Sequence, residues 1–511
     1  MSDLKTKEEG VTVTSRDVHT VDIGQADDAA AFVAGMNPQD ISEEDIKRVR
    51  RKIDLHVMPI LMLMYFIQFL DKNTLGSSSI LGIKTDNHLS SSEYNWLGTI
   101  FYLSYLIFEW PQNLALQRFP PAKWMAGNIL VWGVVLMCQA ACHNFSGLFV
   151  CRFFLGACEG SITAGFLIVT SMFYTHDETA RRVGYWFLMN GSAIIFGGFL
   201  SWATFQMDAK VFAPWRLFMI ICGGLTLITG ALFWFFIPDS PMTAYFLTKE
   251  ERVIAIQRLA HQSSGIENKH WKKDQFLEAL TDWKCWAFFF LGSFTQLPNS
   301  LSNQNALIIN SFGFSTSQTA LLGMVLGAIE IFAILTATGL LKRYPNSRSY
   351  VAAVYYIPSI ISAIMIITLP WSNKGGLLTA MYLGQLGIGP SFVIALAWCT
   401  TTSAGHTKKT TGNAMLLIGY CLGNLLAPQM WKAQYSPRYY IPWGVILAAY
   451  IICPLMFITI GLFLRKENRR RDRLQNGGQP AEKYFDANGD ELDPTFLDLT
   501  DRQNLGYRYP L

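Results

Sequence analysis

Apolar residues in this chain fall into long blocks separated by short polar stretches, not into the alternating stripes of a soluble fold. Twelve blocks approach or exceed the roughly 20 residues needed to cross a hydrocarbon core. They cover 53–74, 94–114, 123–143, 148–173, 183–205, 216–237, 284–306, 318–341, 349–369, 376–399, 410–431 and 442–464, numbered here as spans 1 to 12. In lipid a spanning segment must satisfy its backbone polar groups internally, so each block predicts a transmembrane helix. The expected fold class is an all-α polytopic membrane protein.

Between the blocks the chain divides naturally. Residues 1–52 read as a cytoplasmic, largely disordered N-terminal tail, polar and without periodicity up to residue 40 and charged from 41 to 52. Residues 53–237 form a first set of six spans, and 284–464 a second set of six. The central cytoplasmic loop, 238–283, opens with Pro238-Asp239-Ser240-Pro241, which ends span 6. It then carries the capping box Thr248-Lys249-Glu250-Glu251, which predicts a short amphipathic helix. Residues 465–511 form a short cytoplasmic C-terminal tail with no sign of a folded domain. A basic-aromatic-proline exit follows span 2 (Asn113 to Pro120, NLALQRFP) and recurs after span 8 (Gly339 to Pro345, GLLKRYP). This weak repeat predicts two related six-helix halves, with a substrate site between them near the bilayer midplane.

Charge placement sets the expected orientation. With the N-terminus inside, the inner loops hold Arg118, Lys123, Arg181, Arg182, Lys342, Arg343, Arg348, Lys408 and Lys409. The outer loops hold Lys84, Lys210, Lys374, Lys432 and Arg438. Both termini are then cytoplasmic, as an even number of spans requires, and the expected location is the cell membrane.

Composition agrees: 51% of residues are hydrophobic and 15% charged, against roughly 25% charged in soluble domains. The nine cysteines are scattered, without a C-x-x-C pair or Cys/His cluster, so neither a disulfide framework nor a zinc site is indicated. No phosphate-binding loop, nucleophile elbow or metal motif occurs, so nucleotide-driven transport and catalysis are unsupported. The sequence calls for no cofactor and no nucleic acid, and the chain is expected to be a monomer.

The candidate chemistry lies inside the apolar blocks. Span 4 reads LFVCRFFLGACEGSITAGFLIVTSMF and contains Arg152 and Glu159, seven residues apart and so on one helix face. A charge in hydrocarbon costs several kcal/mol unless it finds a partner or water, so intramembrane charges default to a functional reading. The alternative is an ion pair that locks span 4 to a neighbour. Arg152 suits a carboxylate ligand through its two-pronged guanidinium, and Glu159 suits a proton carrier. Asp71 and Lys72 close span 1 and could instead be a solvated pair at the outer interface. Glu109 in span 2 is read as a gating salt-bridge partner of Arg118 or of the inner loops, and Glu330 in span 8 as the corresponding acid of the second half with a matching structural role; Arg343 joins the gating candidates. Tyr105, Asn190, Asn299, Asn303, Asn413 and Asn424 are polar residues within spans and candidates for a substrate lining, though each could simply bridge helices.

Several of these segments resemble a known group. Twelve spans in two halves with a long central inner loop resemble the major facilitator superfamily. FLDKNTLG (Phe69 to Gly76) and RFFLGACEG (Arg152 to Gly160) are similar to motifs of its anion:cation symporter family. YNWLGTIFYLSYLIFEWPQNLALQRFP (Tyr94 to Pro120) and DLTDRQNLGYRY (Asp498 to Tyr509) are similar to the fungal allantoate permease group. The resemblance covers 45–511 and implies proton-coupled symport of small organic anions such as allantoate, another ureide or a vitamin carboxylate. It implies Asp71 and Glu159 as proton-coupling acids and Lys72 and Arg152 as substrate-binding cations, with Tyr105 and Asn190 as further contacts. Position 72 is Lys where many members have Arg, which exchanges a bidentate grip for a point charge. The stretch after span 2 lacks the superfamily's usual Gly-x-x-x-Asp pattern. An exporter of a carboxylated secondary metabolite and a non-transporting nutrient sensor are the competing expectations.

Overall fold

The computed structural model describes residues 42–160, 162–207, 212–260, 272–476, 484–485, 491–492 and 499–511. The disordered segment expected over residues 1–40 lies outside them. Apart from two paired two-residue strands, Tyr484–Phe485 and Glu491–Leu492, the ordered elements are helices. Nine of the described helices are long and apolar enough to cross a membrane by length and composition. Spans 2, 7 and 11 fall outside that set. Span 7 is broken into two short helices, and polar side chains such as Asn95 and Thr99 in span 2 and Asn413 and Asn424 in span 11 dilute the hydropathy of the other two.

Span 1 starts earlier than its apolar block. Helix Glu43–Lys72 is capped by Ser42, whose hydroxyl accepts from the Asp45 amide at 3.1 Å, and carries Glu43, Glu44 and Asp45 in its first turn. Acidic residues there complement the positive end of the helix dipole, so the charged lead-in 43–52 is helix and not tail. Span 1 is interrupted at Asn73 and resumes as Thr74–Ile80. Span 4 is split at Gly160 into Phe145–Glu159 and Ile162–Phe173. Span 7 is split into Trp283–Gln296 and Leu301–Ser311 around a short turn at Pro298. The other spans are single helices near their expected positions, except that span 5 is preceded by helix His176–Phe187 and span 12 runs on to Asn476.

Each six-helix half has its own apolar core, one around Leu61, Met125, Trp132 and Phe218, the other around Tyr356, Trp398, Leu416 and Tyr450. Large apolar side chains such as Phe235, Phe332, Ile228 and Val354 point outward, as contact with lipid requires. Small residues set the closest approaches. A Cβ on Gly156 would lie 2.2 Å from the Phe101 carbonyl oxygen, and one on Gly419 would lie 2.1 Å from that of Phe289. These glycines let spans 4 and 2, and spans 11 and 7, pack backbone to backbone.

The two halves meet asymmetrically. Asn95 donates to the Trp431 carbonyl at 2.8 Å, Thr99 accepts from Gln429 at 2.7 Å, and Tyr94 donates to the Asn303 carbonyl at 2.9 Å. Gln304 donates to Asn95 at 3.2 Å, and Gln206 to Ser317 at 3.2 Å. All of these residues lie toward the face opposite the chain ends. The hydrogen bonds given above between the halves thus gather toward that face, and deeper in the bundle Gly191 of span 5 packs against Gly327 of span 8, where an added Cβ would lie 2.4 Å from the Gly327 carbonyl oxygen.

At the chain-end face, the expected capping box forms: Thr248 and Glu251 exchange bonds of 3.0 and 3.3 Å at the start of helix Lys249–Ala260. Glu251 also binds Lys52 of span 1 at 2.6 Å, tying the central loop to the first half. The C-terminal residues fold back under the second half and do not hang free. Asp501 is fully buried, pairing with Lys408 at 2.7 Å and with Lys284. The Tyr509 hydroxyl donates to Asp501 at 2.7 Å, Trp398 to the Pro510 carbonyl at 2.8 Å, and the Arg348 amide to Leu511 at 3.0 Å. One short segment thus ties spans 7, 9, 10 and 11 together, and Arg471 at the end of span 12 joins through the Asp501 carbonyl at 2.8 Å.

Burial by itself pushes the Asp501 carboxyl up, but Lys284 and Lys408 outweigh it and hold it at about 2. A depressed carboxyl stabilises the fold above its unfolded value of about 3.9, and that contribution is lost as pH falls through about 2. Asp501→Asn removes the shared anion and leaves the two lysines with Asp282 and Glu278 alone. The expected loss is about 3 kcal/mol, the low end for breaking one member of a buried network. Thermal unfolding in detergent checks it, together with faster proteolysis of the tail. An unchanged midpoint with a protected tail contradicts the tie.

Candidate functional site

Span 1 presents Gln68, Asp71 and Lys72 within one turn, and the interruption at Asn73 places Thr74 just beyond them. Span 4 passes alongside with Arg152 and Glu159 on one face. All three charged residues other than Lys72 are buried: Asp71 and Glu159 at 0% exposure and Arg152 at 3%. None of them faces lipid, and Asp71 is not the solvated surface group that its place at a helix end allowed.

The pairings are specific. Glu159 Oε2 lies 3.7 Å from the Lys72 ammonium and accepts from Gln68 Nε2 at 3.4 Å. Arg152 Nη2 donates to Thr74 Oγ1 at 3.3 Å. Arg152 and Glu159 share a face but do not pair, since two turns of helix hold them about 10 Å apart along the axis. The cation beside Glu159 is therefore Lys72, a residue of span 1. Lys72 also stands 5.9 Å from the Tyr105 ring centroid, while the Tyr105 hydroxyl reaches Thr163 at 3.4 Å. Asp71 points the other way, accepting from Thr226 of span 6 at 2.8 Å.

Each of these charged groups keeps an unused polar atom. Asp71 Oδ1, Glu159 Oε1 and Arg152 Nε are buried without a hydrogen-bond partner. Unsatisfied buried polar atoms are costly, so these three are candidate binding atoms. Lys72 and Arg152 line a small pocket with Leu75, Gly98, Phe101, Tyr102 and Asn303. Its volume of about 10 Å³ holds at most one water, so a larger guest needs the walls to part. Asn303 belongs to span 7, so the pocket is closed by the second half.

Other expected residues lie elsewhere. Asn190 is buried beside Tyr65 and Glu330 where the halves touch. Asn413 accepts from Thr400 at 3.1 Å, bridging spans 11 and 10 within the second half, and does not reach the pocket. Glu109 and Arg118 do not pair. Nine residues place them on opposite sides of one helix, about 180° apart, and Arg118 is exposed. Glu330 is buried and accepts from Gln385 of span 10 at 3.1 Å, more than three turns from the exposed Arg343. The Glu109–Arg118 contact read from the sequence is thus not made. Gln68, Thr74 and Thr226 were not singled out in the sequence. Gln68 precedes Lys72 by one turn, a spacing that could have flagged it, whereas Thr226 looks like any threonine in an apolar block.

The comparisons agree with this architecture. The Major Facilitator Superfamily profile matches residues 61–428. The chain is 34% identical over 472 residues to a thiamine pathway transporter of Saccharomyces cerevisiae, covering 92% of this chain and 87% of that protein. It is 29% identical over 503 residues to an allantoate permease of the same organism, covering 95% and 90%. Among solved structures, a D-xylose-proton symporter superposes with a TM-score of 0.62 at 13% identity, over 79% of this chain and 97% of that one. That last likeness speaks for the fold alone. A two-bundle helical membrane fold, the profile match and full-length similarity to transporters converge: the chain belongs to the major facilitator superfamily and is a multi-pass membrane transporter, not an enzyme.

Proposed function

We propose that the protein is a proton-coupled symporter that imports a small organic anion across the plasma membrane, with both termini cytoplasmic. The reading rests on one observation: two cations and two acids are gathered inside the first half, with polar atoms left unsatisfied. Lys72 and Arg152 attract a carboxylate. Glu159 neutralises Lys72 while the site is empty, and an arriving anion competes for that ammonium. A carboxylate that loses its cation partner binds a proton more readily, so anion and proton enter together. Asp71, behind span 1, is a second acid for the same coupling, and Tyr105 shapes the wall beside Lys72. Alternating access has the two halves rocking about the pocket and parting the contacts between them. The similarity to an allantoate permease supports a ureide or related carboxylate as the substrate class.

A labelled-uptake panel of organic acids in a transport-null cell, at an external pH of about 5 and about 7, tests this reading. At least one carboxylate should accumulate, and faster at the lower pH, where protons are about 100-fold more concentrated. Accumulation of none of them, or equal rates at both values, counts against the proposal.

A further inference from the structure

At the chain-end face of the second half, a cavity of about 570 Å³ opens where span 7 begins and the span 12 helix runs on past its apolar block. Five cations line it, against the two carboxylates of Asp282 and Glu467. Lys284 and Arg471 are committed to the tie with the C-terminal segment. Lys284 pairs with Asp501 and with Asp282, and Arg471 binds Glu467 at 3.1 Å and the Asp501 carbonyl at 2.8 Å. The other three, Lys466, Arg470 and Arg502, are exposed at the rim. Lys466 enters no ion pair among the described residues, Arg470 shares Glu467 with Arg471, and Arg502 comes no nearer than 3.8 Å to a carboxylate. The rim therefore keeps positive charge for an anion from outside the chain.

An apolar groove of about 320 Å³ continues from this cavity along the outer side of spans 7 and 12. The two share Trp283 and Phe463, whose ring centroids lie 5.4 Å apart. Ile452, Met456, Thr459 and Phe463 line the groove, and Lys466 and Arg470 line the cavity. These positions follow one another at steps of three or four residues, so they form a single stripe along the helix. The stripe turns from apolar to basic just past Phe463. From Ile452 to Phe463 the helix rises about 16 Å, close to half of the roughly 30 Å hydrocarbon core. The groove is thus one leaflet deep. Its charged end falls at the membrane–water boundary, where tryptophans such as Trp283 are favoured. Trp283, Leu455 and Phe463 are exposed, so lipid has access to the groove along its length.

We propose that the cavity and groove together hold one anionic phospholipid, its headgroup among Lys466, Arg470 and Arg502 and an acyl chain laid between spans 7 and 12. Charge complementarity selects an acidic headgroup over a zwitterionic one, since each cation near a membrane surface adds to the attraction for acidic lipid. The continuous groove selects a lipid over a free anion, which would leave the apolar half of the stripe unfilled. The inner wall of the cavity includes Lys284, Arg471 and Tyr509 of the C-terminal tie, so a bound lipid also braces that segment against the second half. The site goes beyond the anion-symport reading and shares no residue with it.

The test uses the full-length protein purified in a maltoside detergent. Its unfolding midpoint is followed as phosphatidylserine is titrated in mixed micelles. Phosphatidylcholine, which has the chains without net charge, and water-soluble glycerophosphoserine, which has the headgroup without chains, are the controls. A saturable rise of about 2–3 °C is expected with phosphatidylserine and none with either control, because a ligand that binds the folded state raises its stability. Lys466→Gln, Arg470→Gln and Arg502→Gln combined should raise the half-saturating concentration at least about tenfold, whereas Arg152→Ala should leave it unchanged. Failure of the anion reading would therefore not imitate failure of this one. Should the triple variant not fold, Lys466→Glu is read instead, with an expected weakening of at least about threefold. The proposal is overturned if phosphatidylcholine or glycerophosphoserine stabilises the protein as much as phosphatidylserine does, or if the substituted protein responds as the native one does. It is equally overturned if phosphatidylserine has no effect, whether the face is bare or covered by a second copy of the chain.

Discussion

Arg152→Ala is expected to reduce uptake by at least about 30-fold while the protein still reaches the membrane. Arg152 is buried, donates to Thr74, and lines the pocket with Lys72, so its guanidinium is placed to meet an entering carboxylate. Truncating one member of a buried charge pair costs roughly 2–5 kcal/mol, and each 1.4 kcal/mol is a factor of about ten. Surface expression and uptake should be measured on the same cells. Normal uptake by correctly delivered protein refutes the anion site. Arg152→Lys separates charge from geometry: it keeps the positive charge but loses the planar fork, so partial activity is expected.

Glu159→Gln should uncouple transport without abolishing binding. Glutamine keeps the size of the side chain and its contact with Gln68, but it neither titrates nor balances Lys72. Without a titrating group, an inward proton gradient has nothing at this position through which to act. Uphill accumulation should fall to the equilibrium distribution, while exchange of labelled for unlabelled substrate continues. Counterflow in proteoliposomes, with and without an imposed pH gradient, separates the two. Gradient-driven accumulation by Glu159→Gln would assign the proton to another group, with Asp71 the next to test. The neutral side chain also leaves Lys72 without its anion, so substrate affinity should hold or rise.

The two predictions draw on different parts of the arrangement. The span 4 helix by itself explains why Arg152 and Glu159 face the same way. It does not explain why their roles divide. That division comes from span 1, which gives Lys72 to Glu159 and Thr74 to Arg152, and turns Asp71 toward span 6.

Much of the architecture was legible from apolar block length, because a bilayer imposes one length and one backbone solution on every crossing segment. Charges within those blocks were equally legible: their cost in lipid makes an interior position the cheaper placement, and Asp71, Arg152 and Glu159 are all buried in the protein. The sequence could not say which charge meets which, since pairing depends on helix rotation and on neighbours far away in the chain. Glu109 with Arg118 was a near neighbour in sequence but stands on the wrong side of its helix. Glu330 was read as the structural counterpart of Glu109, yet among the described residues it is the one charged side chain lining a cavity built from five spans. The final segment was recognisable only as a family-like string at the end of a tail. Its work as a tie beneath the second half required Lys284 and Lys408, more than 120 residues apart, to converge on Asp501. Local chemistry and the membrane's thickness thus determined the spans and their buried charges, while packing between distant helices decided the partners, the cavities and the contacts between the halves.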